Sequence, residues 1–182
     1  MVMRTKLLIS ALAAALVVTT AAVGYSQGIE WALVNWKVRR EFPSVPRIDP
    51  KQVADWLNDS KRPQPVLLDV RTRPEYEVSH IHGAQRVDPD ASAGAISIPR
   101  DKPIVTYCSV GYRSGAFAKK LQDAGYKNVQ NMSGSIFEWA NEGHPIERDG
   151  QRVDKVHPYN AKWGKLLKPG LRADVPPAGP GM

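Results

Sequence analysis

Cys108 is the one cysteine in 182 residues, and it opens the stretch Cys-Ser-Val-Gly-Tyr-Arg-Ser, residues 108–114, between an apolar run and a helical one. A thiol acts as a nucleophile through its thiolate, so its surroundings decide what it can do. The first N–H groups of a helix have no partners within it and share the positive end of its dipole. Gly111 lets the chain curl the amides of Ser109, Val110, Gly111, Tyr112, Arg113 and Ser114 around one point, a nest for an anion. A sulfur at the centre is favoured in its charged form, and Arg113 adds a full positive charge and a fork of donors. Position after a strand also fits an inert core cysteine. The succession strand, cysteine, glycine, arginine, helix points instead to a nucleophile for soft electrophiles. A single cysteine leaves no intramolecular disulfide and no multi-cysteine metal site.

Presenting a thiol in this way needs a strand before it and a helix after it. Ile104–Tyr107 reads as a buried strand, and residues 114–125 as a helix with Phe117, Leu121 and Ala124 on one face and Gly125 as a left-handed cap. The same alternation runs on either side. Asp49 is an N-cap followed by Pro50 at the first helical position, with Val53, Trp56 and Leu57 on one face. Residues 65–70, Pro-Val-Leu-Leu-Asp-Val, are an apolar run with a charge near its end, which fits a buried parallel strand. A short helix follows over 73–81, a small strand over 84–87, a strand over 126–132, and a closing helix with Ile136, Trp139 and Ala140 inward. The order predicts an α/β fold with a parallel sheet and right-handed crossovers. Ligands in such sheets sit beyond the carboxyl ends of strands, the position of Cys108.

The flanks read differently. Arg4 and Lys6 precede an uncharged run from Leu7 to Val23, followed by small residues. Residues 1–26 are therefore expected to be a cleaved secretory signal or an uncleaved signal-anchor, and either sends the rest across the membrane. The expected location is periplasmic or otherwise extracytoplasmic. Residues 27–46 are a connector in which Ile29, Leu33 and Trp36 recur at helical spacing beside Lys37, Arg39 and Arg40, a segment able to contact a membrane. The globular domain spans 47–148, and 149–182 reads as a basic, Pro/Gly-rich tail, flexible at its end from Asp174 onward. The net charge is +7, yet the basic residues are scattered and no nucleic-acid motif is present, so anionic small molecules fit better than nucleic acid.

Three stretches together resemble the single-domain rhodaneses, a family of thiosulfate and persulfide sulfurtransferases. Cys108, Gly111 and Arg113 match its active-site loop. Asp69, Val70, Arg71, Glu75, Tyr76, His80, Ile81, Gly83 and Ala84 match an upstream motif, and Gly134, Trp139, Gly143, Pro145 and Ile146 a closing one. The resemblance implies a three-layer fold, a central and mostly parallel sheet flanked by helices. It implies a persulfide formed on Cys108 from thiosulfate or a similar donor and passed to a thiophilic acceptor, with no metal or organic cofactor. It places Asp69 near the pocket and Arg71 in a structural or substrate-side ion pair, with Glu75 and His80 as scaffold. Four residues separate Cys108 from Arg113. Cysteine phosphatases use a longer loop to embrace a tetrahedral phosphate, so the spacing favours sulfur transfer. Ser109, Val110 and Tyr112 depart from the residues common in thiosulfate- and mercaptopyruvate-using relatives, which leaves the donor open. The alternative is an extracytoplasmic persulfide carrier or docking module, serving a thiol-redox protein and turning over little alone.

Overall fold

The computed structural model describes residues 28–177; the export segment expected at 1–26 and the last five residues lie outside the described residues. Contacts divide the chain into two units, Met1–Val34 and Asn35–Met182. Residues 28–41 are helical (α1), with Ile29 and Leu33 exposed in the first unit and Trp36 exposed in the second. Among the described residues no helix is long and apolar enough to cross a membrane.

The second unit is built on five strands: β1 (Arg47–Ile48), β2 (Val66–Asp69), β3 (Gln85–Arg86), β4 (Ile104–Tyr107) and β5 (Val129–Met132). Their order is β1-β5-β4-β2-β3, and every pairing is parallel. The central strand β4 is buried at all four positions, Thr106 included, as a strand between two covered faces must be. On one face, Leu68 and Ile104 pack with Phe117, Ala118 and Leu121 of α4 (Tyr112–Asp123). Successive side chains alternate across a strand, so Leu67 and Val105 serve the other face, and both are buried.

The helices are α2 (Pro50–Asn58), α3 (Arg73–Val78), α4 and α5 (Ser135–Asn141), with α2 packed against α5. α2 starts as its sequence requires: Pro50 occupies the first turn, where a missing N–H costs nothing, and the Asp49 N–H donates to Gln52 Oε1 at 3.1 Å. α3 is capped by Thr72, whose N–H and hydroxyl both donate to Glu75. The mostly parallel sheet flanked by helices is the expected architecture.

The C-terminal stretch corrects the reading of 149–182 as a tail. β6 (Ile146–Arg148) and β7 (Gln151–Val153) form an antiparallel hairpin turned by Asp149 and Gly150, both at positive φ, the conformation a tight hairpin favours. Beyond it, Val156, His157, Leu166 and Leu167 are all buried. Two buried pairs, one at each end of the stretch from Val156 to Leu167, hold a segment whose Pro/Gly content alone suggests disorder.

Candidate active site

β4 ends at Tyr107, and Cys108 follows at the carboxyl edge of the sheet's middle strand. Gly111 then sits at φ +105° as the N-cap of α4. Only a glycine takes that conformation without strain, and it turns the chain so that the Gly111 N–H points back at Cys108 Sγ, 3.2 Å away. The loop is pinned from outside: the Cys108 N–H donates to Ser135 Oγ at 3.1 Å, and the Ile136 and Phe137 N–H groups at the start of α5 donate to the Cys108 and Ser109 carbonyls. Asn131 on β5 completes the frame, donating to the Gly111 carbonyl at 2.8 Å and accepting from the Ser114 hydroxyl at 2.7 Å.

Burial pushes the Cys108 thiol up, but the Arg113 charge and hydrogen bonds from the Ser114 hydroxyl and amide and the Gly111 amide push it down by more, leaving it below the ordinary cysteine value. The Ser114 hydroxyl has a single proton, which the 2.7 Å contact gives to Asn131 Oδ1. The guanidinium and the amides therefore carry most of the stabilisation. Of the amides of Ser109 to Ser114 expected around Cys108, those of Gly111 and Ser114 bond to its sulfur.

Arg113 does not stand free to draw in an anion. It makes a fork-to-fork pair with Glu75, at 2.8 and 2.7 Å, and a third bond to Ser109 Oγ at 2.9 Å. Glu75, read as scaffold, is fully buried and reaches the loop itself, accepting from the Ser109 hydroxyl at 2.8 Å. Burial alone would raise its carboxyl; the hydrogen bonds and charge of Arg113, with help from Arg71 and Ser109, hold it at about 2. Glu75 is thus a positioning residue for Arg113 and Ser109.

The space above the sulfur is lined by Cys108, Ser109, Val110, Tyr112, Arg113, Tyr159 and Trp163. Its volume is about 10 Å³, roughly what one water needs. The expected loop residues Ser109, Val110, Tyr112 and Arg113 are therefore at the thiol, with Gly111 and Ser114 bonding to it. Tyr112 is braced by an edge-on contact with Phe42 and by Lys37 Nζ 4.9 Å from its ring centre. Asp69, expected near the pocket, and Arg71, expected in a structural or substrate-side ion pair, are not among the residues that line it. Both are fully buried and bonded to each other at 2.6 Å, and Arg71 also donates to the Ser79 carbonyl. Two opposite charges this deep hold each other, since either one alone would cost several kcal/mol.

The profile of the family described as the rhodanese-like domain matches residues 49–142, just over half of the chain.

The chain belongs to that family.

Among curated relatives of this rhodanese-like chain, a probable adenylyltransferase/sulfurtransferase, MoeZ, of Mycobacterium tuberculosis is 31% identical over 101 residues, covering 54% of this chain and 25% of its own length. A tRNA uridine(34) hydroxylase of Pectobacterium carotovorum is 30% identical over 135 residues, covering 67% and 38%. The chain thus spans well under half the length of either. Of solved structures, a thiosulfate sulfurtransferase from Pseudomonas aeruginosa superposes with a TM-score of 0.55 at 21% identity, over 67% of this chain and 23% of that one, a match of fold. The family match ends at residue 142, before Tyr159 and Trp163.

Proposed function

We propose that this protein is a sulfurtransferase that carries sulfane sulfur as a persulfide on Cys108. The observation that carries the reading is a cavity of about 10 Å³ lined by Cys108, whose thiol is bonded by the Gly111 amide. That space suits one added sulfur atom, and the four residues between Cys108 and Arg113 make a shorter loop than cysteine phosphatases use, which argues against phosphoryl transfer. The curated relative named as a sulfurtransferase supports the same class of chemistry.

In the first step the Cys108 thiolate attacks the outer sulfur of thiosulfate or a similar donor. A sulfur–sulfur bond forms at Cys108, the bond to the sulfonate breaks, and its electron pair leaves with sulfite. In the second step a thiophilic acceptor such as cyanide or a thiolate attacks the terminal sulfur and the Cys108 thiolate is regenerated. Charge on sulfur is conserved through both steps, so the amides that stabilise the thiolate serve the persulfide equally. No metal or organic cofactor enters this sequence. The chemistry needs only a low thiol pKa, a fixed nest and access.

Intact-mass measurement after mixing with thiosulfate tests the proposal. Wild type should gain the mass of one sulfur and lose it to cyanide, and Cys108→Ala should do neither. A wild type that stays unmodified sinks the reading. A second reading, a persulfide carrier docking a thiol-redox protein, draws support from the Arg113–Glu75 pair. With its guanidinium engaged, the site pulls less on a free dianion. A stable persulfide with negligible cyanide turnover would favour the carrier. We also propose an extracytoplasmic location, from Arg4 and Lys6 ahead of the uncharged run Leu7 to Val23, and membrane contact through exposed Ile29, Leu33 and Trp36 beside Lys37, Arg39 and Arg40.

A further inference from the structure

The segment after the hairpin closes on itself. Val156 N–H donates to the Leu171 carbonyl at 2.7 Å and Ala173 N–H to the Val156 carbonyl at 3.0 Å, so the two ends of a loop running from Val156 to Arg172 are tied together. Leu166 and Leu167 anchor its middle in the core. Asn141, at the end of α5, clamps it from outside, donating to the Leu166 carbonyl at 2.7 Å and accepting from Lys168 N–H at 2.9 Å. Arg172 adds bonds to the Leu167 carbonyl at 3.1 and 2.8 Å. A solvent-exposed tail needs none of this.

The loop presents two aromatic residues to the thiol. Tyr159 is held at φ +63°, unusual for a residue with a Cβ, and its N–H donates to His157 Nδ1 at 3.0 Å. Such strain persists where the surroundings fix it. The Tyr159 ring lies 4.8 Å from the Arg113 guanidinium carbon, on a cation that Glu75 already holds. One turn later, Asn160 Oδ1 accepts the Trp163 N–H at 3.0 Å and sets that residue over the same cavity. The Trp163 indole Nε1–H is buried and has no hydrogen-bond partner among the described residues. Buried indole N–H groups normally have one, so this donor is waiting for an acceptor.

We propose that this loop is a specificity wall built onto the rhodanese domain: Tyr159 and Trp163 limit the Cys108 thiol to donors that offer one exposed sulfur, and the Trp163 indole N–H binds the oxyanion end of such a donor. The size restriction follows from the cavity, and the choice of an oxyanion rests on the sulfurtransferase reading. An inorganic S-sulfonate has the required shape, a lone outer sulfur on a compact anionic head. An aryl donor must displace the aromatic pair.

The test uses the full chain and variants Tyr159→Ala, Trp163→Ala and Trp163→Phe, each checked by thermal melting. Alkylation of Cys108 by iodoacetamide and by N-phenylmaleimide reads access without any sulfur transfer. Both alanine variants should raise the phenylmaleimide-to-iodoacetamide rate ratio ~10-fold or more, the scale of steric discrimination in a tight pocket. Trp163→Phe should keep the parent ratio, since the ring remains, but raise the KM for thiosulfate ~10-fold while kcat holds, the scale of one lost bond to a charged group. The concentration of inorganic sulfate that halves alkylation should rise in parallel. Ratios within twofold of the parent in the alanine variants overturn the wall, and an unchanged KM and sulfate protection in Trp163→Phe overturn the indole contact. If Trp163→Ala fails to fold, Tyr159→Ala and Trp163→Phe decide both points. A parent that gains no sulfur from thiosulfate refutes the proposed function, and the alkylation ratio and sulfate protection still judge the wall.

Discussion

Replacing Glu75 by glutamine should separate two things the site combines, the stability of the loop and the acidity of its thiol. Glu75 accepts from Arg113 twice, from the Ser109 hydroxyl, and from the Thr72 N–H and hydroxyl, all while fully buried. Its carboxyl titrates at about 2 against an ordinary 4.5. That difference, at about 1.4 kcal/mol per pH unit, makes the ionised carboxylate worth about 3 kcal/mol to the folded state. A glutamine keeps the shape, loses the charge, and aims an amide N–H₂ at donors. Glu75→Gln should therefore lower stability by about 3 kcal/mol, in the range for breaking a buried ion pair. For a domain of this size the melting temperature should fall by roughly 10 °C. The thiol should respond in the opposite sense: Arg113, freed of its carboxylate, acts on Cys108 with its whole charge, so the pH midpoint of iodoacetamide alkylation should drop. The acid limb supplies a further check. Because the folded carboxyl lies below its unfolded value, its contribution is complete above about pH 4.5 and is lost as pH falls toward 2. The parent should lose stability across that window, and Glu75→Gln should lose less. A variant melting within a degree or so of the parent, with the same acid limb, would refute the role given to Glu75.

Gly111→Ala should act by strain, because the new Cβ would stand 3.6 Å from the Met132 carbonyl oxygen, an ordinary contact, at a backbone φ of +105°. The expected loss is about 1–3 kcal/mol, together with an upward move in the thiol midpoint as the Gly111 amide turns from Sγ, read by melting and by the pH dependence of alkylation. Asp69→Asn leaves Arg71 charged and fully buried without its counter-ion. It should cost about 3–5 kcal/mol, cutting the melting temperature, while the thiosulfate KM of the folded fraction stays at the parent value. A raised KM with normal stability would return Asp69 to the substrate.

Much of this was legible in the residues. β2 and β4 announce themselves as short, largely apolar runs, Asp49 and Pro50 mark a helix start, and the spacing of Cys108, Gly111 and Arg113 identifies the nest. What stayed hidden depends on distance along the chain. Glu75 meets Arg113 across 38 residues, and its local pattern, three residues after Thr72, looks wholly explained as a capping partner. Tyr159 and Trp163 sit in a stretch of prolines, glycines and lysines whose few apolar residues give no period. Only packing against Asn141 and the core reveals that segment as a wall. Asp69 and Arg71 left two readings open, since charged residues at a strand's carboxyl end suit a ligand or an ion pair, and the structure bonds them to each other. β1, two residues long, offers too little pattern to detect.

That short strand bears on how the molecule assembles. β1 pairs with β5, Arg47 beside Asn131 and Ile48 beside Met132, contacts that span more than eighty residues. A chain emerging from the ribosome has its first strand long before the neighbour that receives it, and closing so large a loop is slow. Until it closes, one border of β5 lies open as a template for foreign strands. Residues 47–48 act as the clasp, and folding should be most vulnerable to aggregation in the interval before it shuts.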